Sequence, residues 1–303
     1  MTNHFSRIVM IVSIVMAKNI MNYGSLYLCA TPIGNLDDIT VRTLNTLKSC
    51  DLIACEDTRH SLKLLNHFNI TKPLTSYFEH NKKEKGAYLV SKLKEGKNIA
   101  LVTDAGTPAI SDPGEDLVRL CIDEGIKVVP VPGCVALINA LIISGQYTGR
   151  FAFEGFLSVN KKSRRSHLES AANDTHTLIF YEAPHKLTRT LEDMYKYFGN
   201  RHISIIRELT KIHEECMVTT FEDAIEYYKE NQPKGEYVLV IEGCQEENEV
   251  PEGISEKTPE EYIKSLMDNG MDKKTAIKEA AKAYGMSKRD VYDIAKEIPG
   301  REE

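Results

Sequence analysis

Ser25-Leu26-Tyr27-Leu28-Cys29-Ala30-Thr31-Pro32-Ile33-Gly34-Asn35-Leu36 is the stretch whose reading decides the fold class. Residues 26–29 are strand formers, 31–36 make a Pro/Gly turn, and from 39 to 48 apolar residues recur at three- and four-residue spacing. Strand, turn and helix in that order form the unit of α/β layers. The alternation continues outward. Apolar runs at 52–55, 99–103, 128–131, 178–181, 203–206 and 237–241 read as strands, and 62–68, 87–93, 116–123 and 187–198 carry the helical period. Several runs lack polar alternation, which predicts strands covered on both faces.

The pattern breaks at 144–150 and resumes at Phe151, so two α/β domains are expected, residues 23–147 and 148–243. Residues 244–257 are acidic and hold Pro251 and Gly253, as a solvated linker would. Thr258-Pro259-Glu260-Glu261 then supplies an N-cap, a proline at the first helical position and a capping-box glutamate. A helical extension over 258–303 follows, three segments punctuated by Gly270 and Gly285, with a general likeness to a helix-turn-helix. At the other end Arg7 precedes an apolar run at 8–17 that is too short to span a bilayer. A start at Met21 would remove it, and residues 1–22 are expected to be a dispensable extension.

Composition narrows the class further. Among 303 residues, 42% are hydrophobic and 27% charged, ordinary values for a soluble globular chain. A net charge of -6 gives no global field for nucleic acid, so any RNA contact must be local. The seven cysteines are scattered and never form a C-x-x-C pair, which reads as reduced core thiols of a cytoplasmic protein. His213-Glu214-Glu215-Cys216-Met217 lacks the second histidine of a zincin, and no metal is expected.

Three loops follow strands directly: 31–36, Asp104-Ala105-Gly106-Thr107-Pro108-Ala109-Ile110-Ser111-Asp112-Pro113-Gly114, and Pro132-Gly133-Cys134-Val135-Ala136. Ligands of open α/β sheets bind at strand carboxyl ends. Without a lysine, the second loop suits an uncharged or cationic ligand better than a triphosphate. No G-x-G-x-x-G or P-loop occurs, which weakens a dehydrogenase, an NTPase and a Rossmann-type methyltransferase. Polar clusters at 56–59, 79–81, 181–185 and 207–211 also fall near strand ends. Singly, each reads as a helix cap with a surface ion pair; together they invite an active-site reading. Two basic clusters, Lys82-Lys83 with Lys85 and Lys161-Lys162-Ser163-Arg164-Arg165, are either solvated faces or phosphate contacts, the second in an expected loop.

Residues 28–40, Glu56-Asp57-Thr58-Arg59, 104–114, Tyr181-Glu182-Ala183-Pro184-His185 and 207–211 resemble, in order and spacing, the signature of the ribosomal RNA small subunit methyltransferase I family of the tetrapyrrole-methylase superfamily. The resemblance implies a class III methyltransferase in which S-adenosylmethionine occupies the cleft between two α/β domains of a homodimer. It implies 2'-O-methylation of a decoding-centre cytidine in 16S ribosomal RNA. Carried over by position, cofactor contacts fall at Pro32, Asp104, Gly106, Thr107, Pro108, Ile110, Ser111, Val135, Ala136, Tyr181, Glu182, Glu236 and Tyr237. Glu208 and Lys211 become the candidates for catalysis. Arg59, His80, Asn81, Lys82 and Arg207 would hold RNA, with Lys161, Lys162, Arg164 and Arg165 on phosphates. Cys134-Val135 departs from the family's Pro-Ser, which removes one hydroxyl contact. Two other readings stay open: a methylase of a tetrapyrrole or other small molecule, and a noncatalytic ribosome-assembly factor.

Overall fold

The computed structural model describes residues 22–245, 257–284, 286–296 and 298. The expectations for residues 1–21 and for most of the linker lie outside them. The chain divides into two compact units at Cys244/Gln245.

The first unit holds two five-stranded sheets. In the first, β1 (Ser25–Cys29), β2 (Leu52–Cys55), β3 (Leu74–Ser76), β4 (Ile99–Val102) and β5 (Lys127–Val131) run in the order β3-β2-β4-β1-β5. Every pairing is parallel. Parallel neighbours need crossovers, and α1 (Val41–Ser49), α2 (Thr58–His67), α3 (Lys82–Lys94) and α4 (Gly114–Asp123) lie between the strands in sequence. Central β4 is buried along its whole length because its two faces feed different cores. Ile99 and Leu101 pack with Leu26, Leu89 and Leu117, whereas Ala100 and Val102 pack with Cys29, Leu47 and Ile53. That two-sided burial is why the run shows no polar alternation.

The second sheet is mixed. β6 (Phe151–Phe156), β7 (Thr177–Glu182), β8 (His202–Arg207), β9 (Glu215–Thr220) and β10 (Tyr237–Ile241) take the order β6-β7-β10-β8-β9. Only the β6–β7 pairing is parallel. Alternate residues again serve two cores. Leu178, Phe180, Leu239 and Ile241 meet Leu191, Met194 and Phe198 of α7 (Leu187–Phe198) and Phe221 of α8 (Phe221–Glu230). Ile179, Ile206, Val238 and Val240 meet Leu137, Ala140 and Leu141 of α5 (Ala136–Ile143). Helix α5 thus packs on the second sheet, although it precedes residue 144. Each such aliphatic or aromatic side chain contributes about 1.5–3 kcal/mol by leaving water.

Residues 161–165, expected in a loop, instead open α6 (Lys161–Ala171). Asn160 caps it, its side chain accepting from the backbone of Lys162 and Ser163. The i, i+4, i+7 set Arg164, Leu168 and Ala171 is buried. Strand β9 and helix α8 are elements that the periodicity did not announce. β9 pairs on one side only and is largely exposed, so its apolar pattern is weak.

The second unit contains α9 (Pro259–Asp268), α10 (Lys273–Ala283) and α11 (Lys288–Ala295) around Ile263, Ile277, Ala280 and Val291. The capping box expected at Thr258 and Glu261 is formed. Among the described residues, no helix is long and apolar enough to cross a membrane.

Candidate active site

Three loops leave the carboxyl ends of β1, β4 and β5, and backbone and side-chain bonds tie them together. Thr31 and Gly106 exchange backbone hydrogen bonds of 2.8 and 3.1 Å. The Thr107 hydroxyl donates to the Cys134 carbonyl at 2.9 Å. Within the middle loop, the Asp112 carboxylate accepts from the Ala109 and Gly114 amides at 2.8–3.0 Å. It thereby holds Ala109 at φ 69°, a left-handed conformation that costs a residue with a Cβ about 1–2 kcal/mol.

Between these loops and the second sheet lies a cavity of about 490 Å³. The size is ordinary for a small-molecule site, roughly 300–1,000 Å³. Ile33, Glu56, Thr103, Ala105, Gly106, Thr107, Ile110, Ser111 and Asp112 line it from the first sheet's loops. Phe156, Tyr181, Glu182, Ala183, Pro184, Ile206, Leu209, Glu236, Tyr237 and Val238 line it from the second sheet, with Val135 and Ala136 at the start of α5. A bulge at Gly155, φ 66°, shifts the β6 register just before Phe156, whose ring meets Tyr181 edge-on at 5.5 Å. The Tyr181 hydroxyl accepts from the Leu137 amide at 3.1 Å.

The charge of this lining is one-sided. Glu56, Asp112, Glu182 and Glu236 bring four acidic residues, and among the described residues no lysine, arginine or histidine lines the cavity. Burial, reinforced by the Asp104 and Asp112 carboxylates, pushes the Glu56 carboxyl above its ordinary range. A cationic ligand would relieve that repulsion, and a phosphate would add to it. The apolar and aromatic remainder of the wall suits a flat, uncharged ring system.

At the rim, Lys211 donates to Glu208 at 2.9 Å and to Glu236 at 3.0 Å. Burial works against the Lys211 ammonium, but the hydrogen bonds to Glu208 and Glu236 outweigh it and raise its pKa. The hydrogen bond from Lys211 holds Glu208 low in turn. Glu208 and Thr210 both adopt positive φ, 52° and 67°. The strained turn presses on the first loop so closely that a Cβ on Gly34 would lie 2.5 Å from Lys211 Cγ. Among the described residues, Arg207 Nε and Thr210 Oγ1 are buried without a hydrogen-bond partner.

Of the expected cofactor contacts, Gly106, Thr107, Ile110, Ser111, Val135, Ala136, Tyr181, Glu182, Glu236 and Tyr237 are in the lining, whereas Pro32, Asp104 and Pro108 are not. Pro32 and Pro108 are buried, and Asp104 accepts from the Asp57 amide at 3.2 Å. Among the expected RNA contacts, Lys161, Lys162, Arg165, Arg59 and His80 are exposed. Arg165 pairs with Glu169 at 2.7 Å and Arg59 with Asp57 at 2.9 Å. Lys82 is held between Glu79 at 2.7 Å and Asp116 at 2.8 Å. Asn81 accepts from the Phe78 amide and donates to Ser76, shaping a turn. Arg207 pairs with Glu215 at 3.0 Å. Arg164 must be withdrawn from the phosphate contacts: it is 6% exposed, and its guanidinium is committed to Asp193 and Thr190. Phe156, Ile206 and Val238 were missed because strand residues of their type read as core; the glycine before Phe156 was the available signal.

Residues 25–225 match the tetrapyrrole (corrin/porphyrin) methylase family. The ribosomal RNA small subunit methyltransferase I of Halalkalibacterium halodurans is 51% identical over 272 residues, 89% of this chain and 94% of that protein. The chain belongs to the ribosomal RNA small subunit methyltransferase I family of the tetrapyrrole methylases. The Synechocystis member is 48% identical over 276 residues, 91% of this chain and 98% of its own. Solved structures share the fold at low identity. A diphthine synthase has a TM-score of 0.56 at 14% identity, covering 72% of this chain and 90% of that one. A uroporphyrin-III-C-methyltransferase from Thermus thermophilus has 0.52 at 18%, covering 72% and 94%. In this methylase, Cys134 and Val135 stand where a proline and a serine were expected. The Cys134 thiol lies 3.6 Å from the Asp38 carbonyl, directed at the first loop.

Proposed function

We propose that the chain transfers a methyl group from S-adenosylmethionine to the 2'-hydroxyl of a decoding-centre cytidine in 16S ribosomal RNA. The observation that carries the cofactor reading is the cavity lined by four acidic residues and, among the described residues, no basic one. S-adenosylmethionine offers what that lining selects: a sulfonium and an ammonium against one carboxylate, joined to an adenosine. When bound, it supplies an electrophilic methyl group. The acceptor reading rests on kinship with the ribosomal RNA small subunit methyltransferases, as does the 2'-oxygen. The same resemblance carries the homodimer; the scattered cysteines support a cytoplasmic location, and the pattern break at 144–150 supports the division into domains 23–147 and 148–243.

The chain's own residues then have distinct tasks. The tied loops of the first sheet and the wall from Tyr181 to Pro184 bind and orient the cofactor, and alignment is the main demand of methyl transfer. Lys211, kept as an ammonium by Glu208 and Glu236, acts as a cation that lowers the pKa of an acceptor hydroxyl placed at the rim, rather than as the base itself. Arg59 and His80 hold RNA, with Lys161, Lys162 and Arg165 on the exposed face of α6 placed on its phosphates.

The test incubates the chain with labelled S-adenosylmethionine and small ribosomal subunits from cells lacking the gene, then maps the label by nuclease digestion. Label on one cytidine 2'-oxygen is expected. Cofactor binding without RNA label would replace this reading with a small-molecule acceptor or a noncatalytic factor. Insensitivity of acceptor binding to salt would favour the former.

A further inference from the structure

The basic run at the start of α6 divides sharply. Lys161, Lys162 and Arg165 face solvent, while Arg164 is 6% exposed. Its guanidinium forks between two partners on α7. Nε donates to the Asp193 carboxylate at 2.7 Å, and Nη2 donates to the Thr190 hydroxyl at 2.9 Å. Thr190, 1% exposed, passes its one hydroxyl proton to Oε2 of Glu182 at 2.5 Å. The other Glu182 oxygen accepts from the Ala183 amide at 2.8 Å. Glu182, 3% exposed, ends β7 in the cavity wall.

We infer that Arg164 is a positioning residue for the cofactor cavity, acting through Thr190 to fix the Glu182 carboxylate. The inference rests on the cavity being the S-adenosylmethionine site. Direction follows from donor counting. A guanidinium can only donate, so the Thr190 oxygen accepts from it, and the hydroxyl proton has the Glu182 carboxylate as its acceptor. The relay therefore has one sense, and each bond polarises the next. Both Glu182 oxygens are thereby held, which fixes the plane of the carboxylate. Neutralising Asp193 does not account for Arg164, because Arg189 and Lys196 also stand 3.8 Å from that carboxylate. Lysine could keep the charge at position 164 but, as a point charge on a flexible stem, lacks the rigid planar fork that presents Nε and Nη2 to the two partners at once.

Removing Arg164 outright would leave the buried Thr190 hydroxyl without its donor and empty the space a buried side chain fills, which threatens folding, so the test turns on Thr190. Thr190→Val keeps shape and removes the proton; Thr190→Ser restores it. Calorimetric binding of S-adenosylmethionine to the full chain should weaken about tenfold in Thr190→Val, the scale of a lost hydrogen bond to a charged group. Thr190→Ser should return to within about twofold of the unsubstituted chain. In Thr190→Val the KM for small subunits should stay unchanged, since the relay faces the cofactor. Unaltered cofactor affinity in Thr190→Val, or equal weakening in Thr190→Ser, would overturn the relay and leave a packing role. Arg164→Lys gives the second arm: weaker cofactor binding is expected. A raised, salt-dependent KM for subunits with unchanged cofactor binding would make Arg164 a phosphate contact and overturn the inference. An unsubstituted chain that fails to bind S-adenosylmethionine would instead overturn the cavity reading, and the relay with it.

Discussion

Substituting Gly34 by alanine adds one methyl group at the point where the two halves of the site touch. The new Cβ would sit 2.5 Å from Lys211 Cγ, 2.8 Å from Thr210 Oγ1 and 3.0 Å from the Leu209 carbonyl oxygen. None of these is the free end of a flexible side chain. Thr210 is already at φ 67°, and Lys211 is anchored through its ammonium to Glu208 and Glu236. The turn must move as a body, carrying Leu209 away from the cavity wall. Overpacking of this kind costs about 1–3 kcal/mol. If that cost falls on the aligned complex, kcat/KM for methyl transfer drops roughly 5- to 150-fold. The assay is label transfer to small subunits, with thermal unfolding run in parallel. Gly199→Ala is the control: Gly199 has φ 69° and nothing within 4 Å of its would-be Cβ. With ψ at -164° it occupies a region that is nearly glycine-only, so it should lose about 1–3 kcal/mol of stability from backbone strain alone, with methyl transfer intact. A Gly34→Ala chain with kcat/KM within twofold of the parent would refute the argument that the turn cannot yield.

Lys211→Met should lower kcat roughly 10²-fold, as loss of a preorganised charge does at an oxyanion. Because the Lys211 pKa is raised above its ordinary 10.5, the pair's stabilisation is complete below that value and is lost only as pH rises through the raised one. Glu208 is held below its ordinary 4.5, so its share is present above 4.5 and is lost as pH falls through the lowered value. The kcat profile should therefore show no titration of this pair between those limits; an inflection near neutrality that disappears in Lys211→Met would make Lys211 the base. For Glu56, whose carboxyl is pushed up by burial, S-adenosylmethionine affinity should decline on the acid side from a pH above its ordinary 4.5, and Glu56→Gln should flatten the decline. An unchanged pH slope in Glu56→Gln would remove Glu56 from cofactor binding. Thr258→Ala breaks the capping box of α9 and should cost that unit about 1 kcal/mol, read as faster amide hydrogen exchange across Pro259–Asp268.

The sequence and the structure agree most closely where one physical rule acts alone. Runs such as 52–55 and 237–241 coincide with β2 and β10, because a short chain segment that is apolar at every position must be covered on both faces, as a central strand is. The Thr258 cap agrees because the rule is local. Strand β9 was hidden by its position at the sheet edge, where Glu215, Cys216 and Val218 are exposed. The loop motifs at 31–36 and 104–114 were legible as ligand-facing, and both contribute to the cavity. The contributions of Phe156, Ile206 and Val238 were not, since strand residues announce burial without telling whether protein or ligand covers them.

The basic cluster shows why a charge count reaches only so far. Read as a loop, all four cations from Lys161 to Arg165 face solvent and every one is a candidate for a phosphate. Read as the first turn and a half of a helix, successive residues point about 100° apart, and neighbours in sequence part company. Leu168 and Ala171 fix which side is buried, and Arg164, four and seven residues before them, falls on it. A buried guanidinium is retained only where it finds acceptors, and Asp193 and Thr190 supply them. The helical period thus assigns Arg165 to the solvent face and Arg164 to the buried one, where it meets Asp193 and Thr190, two places that composition cannot separate.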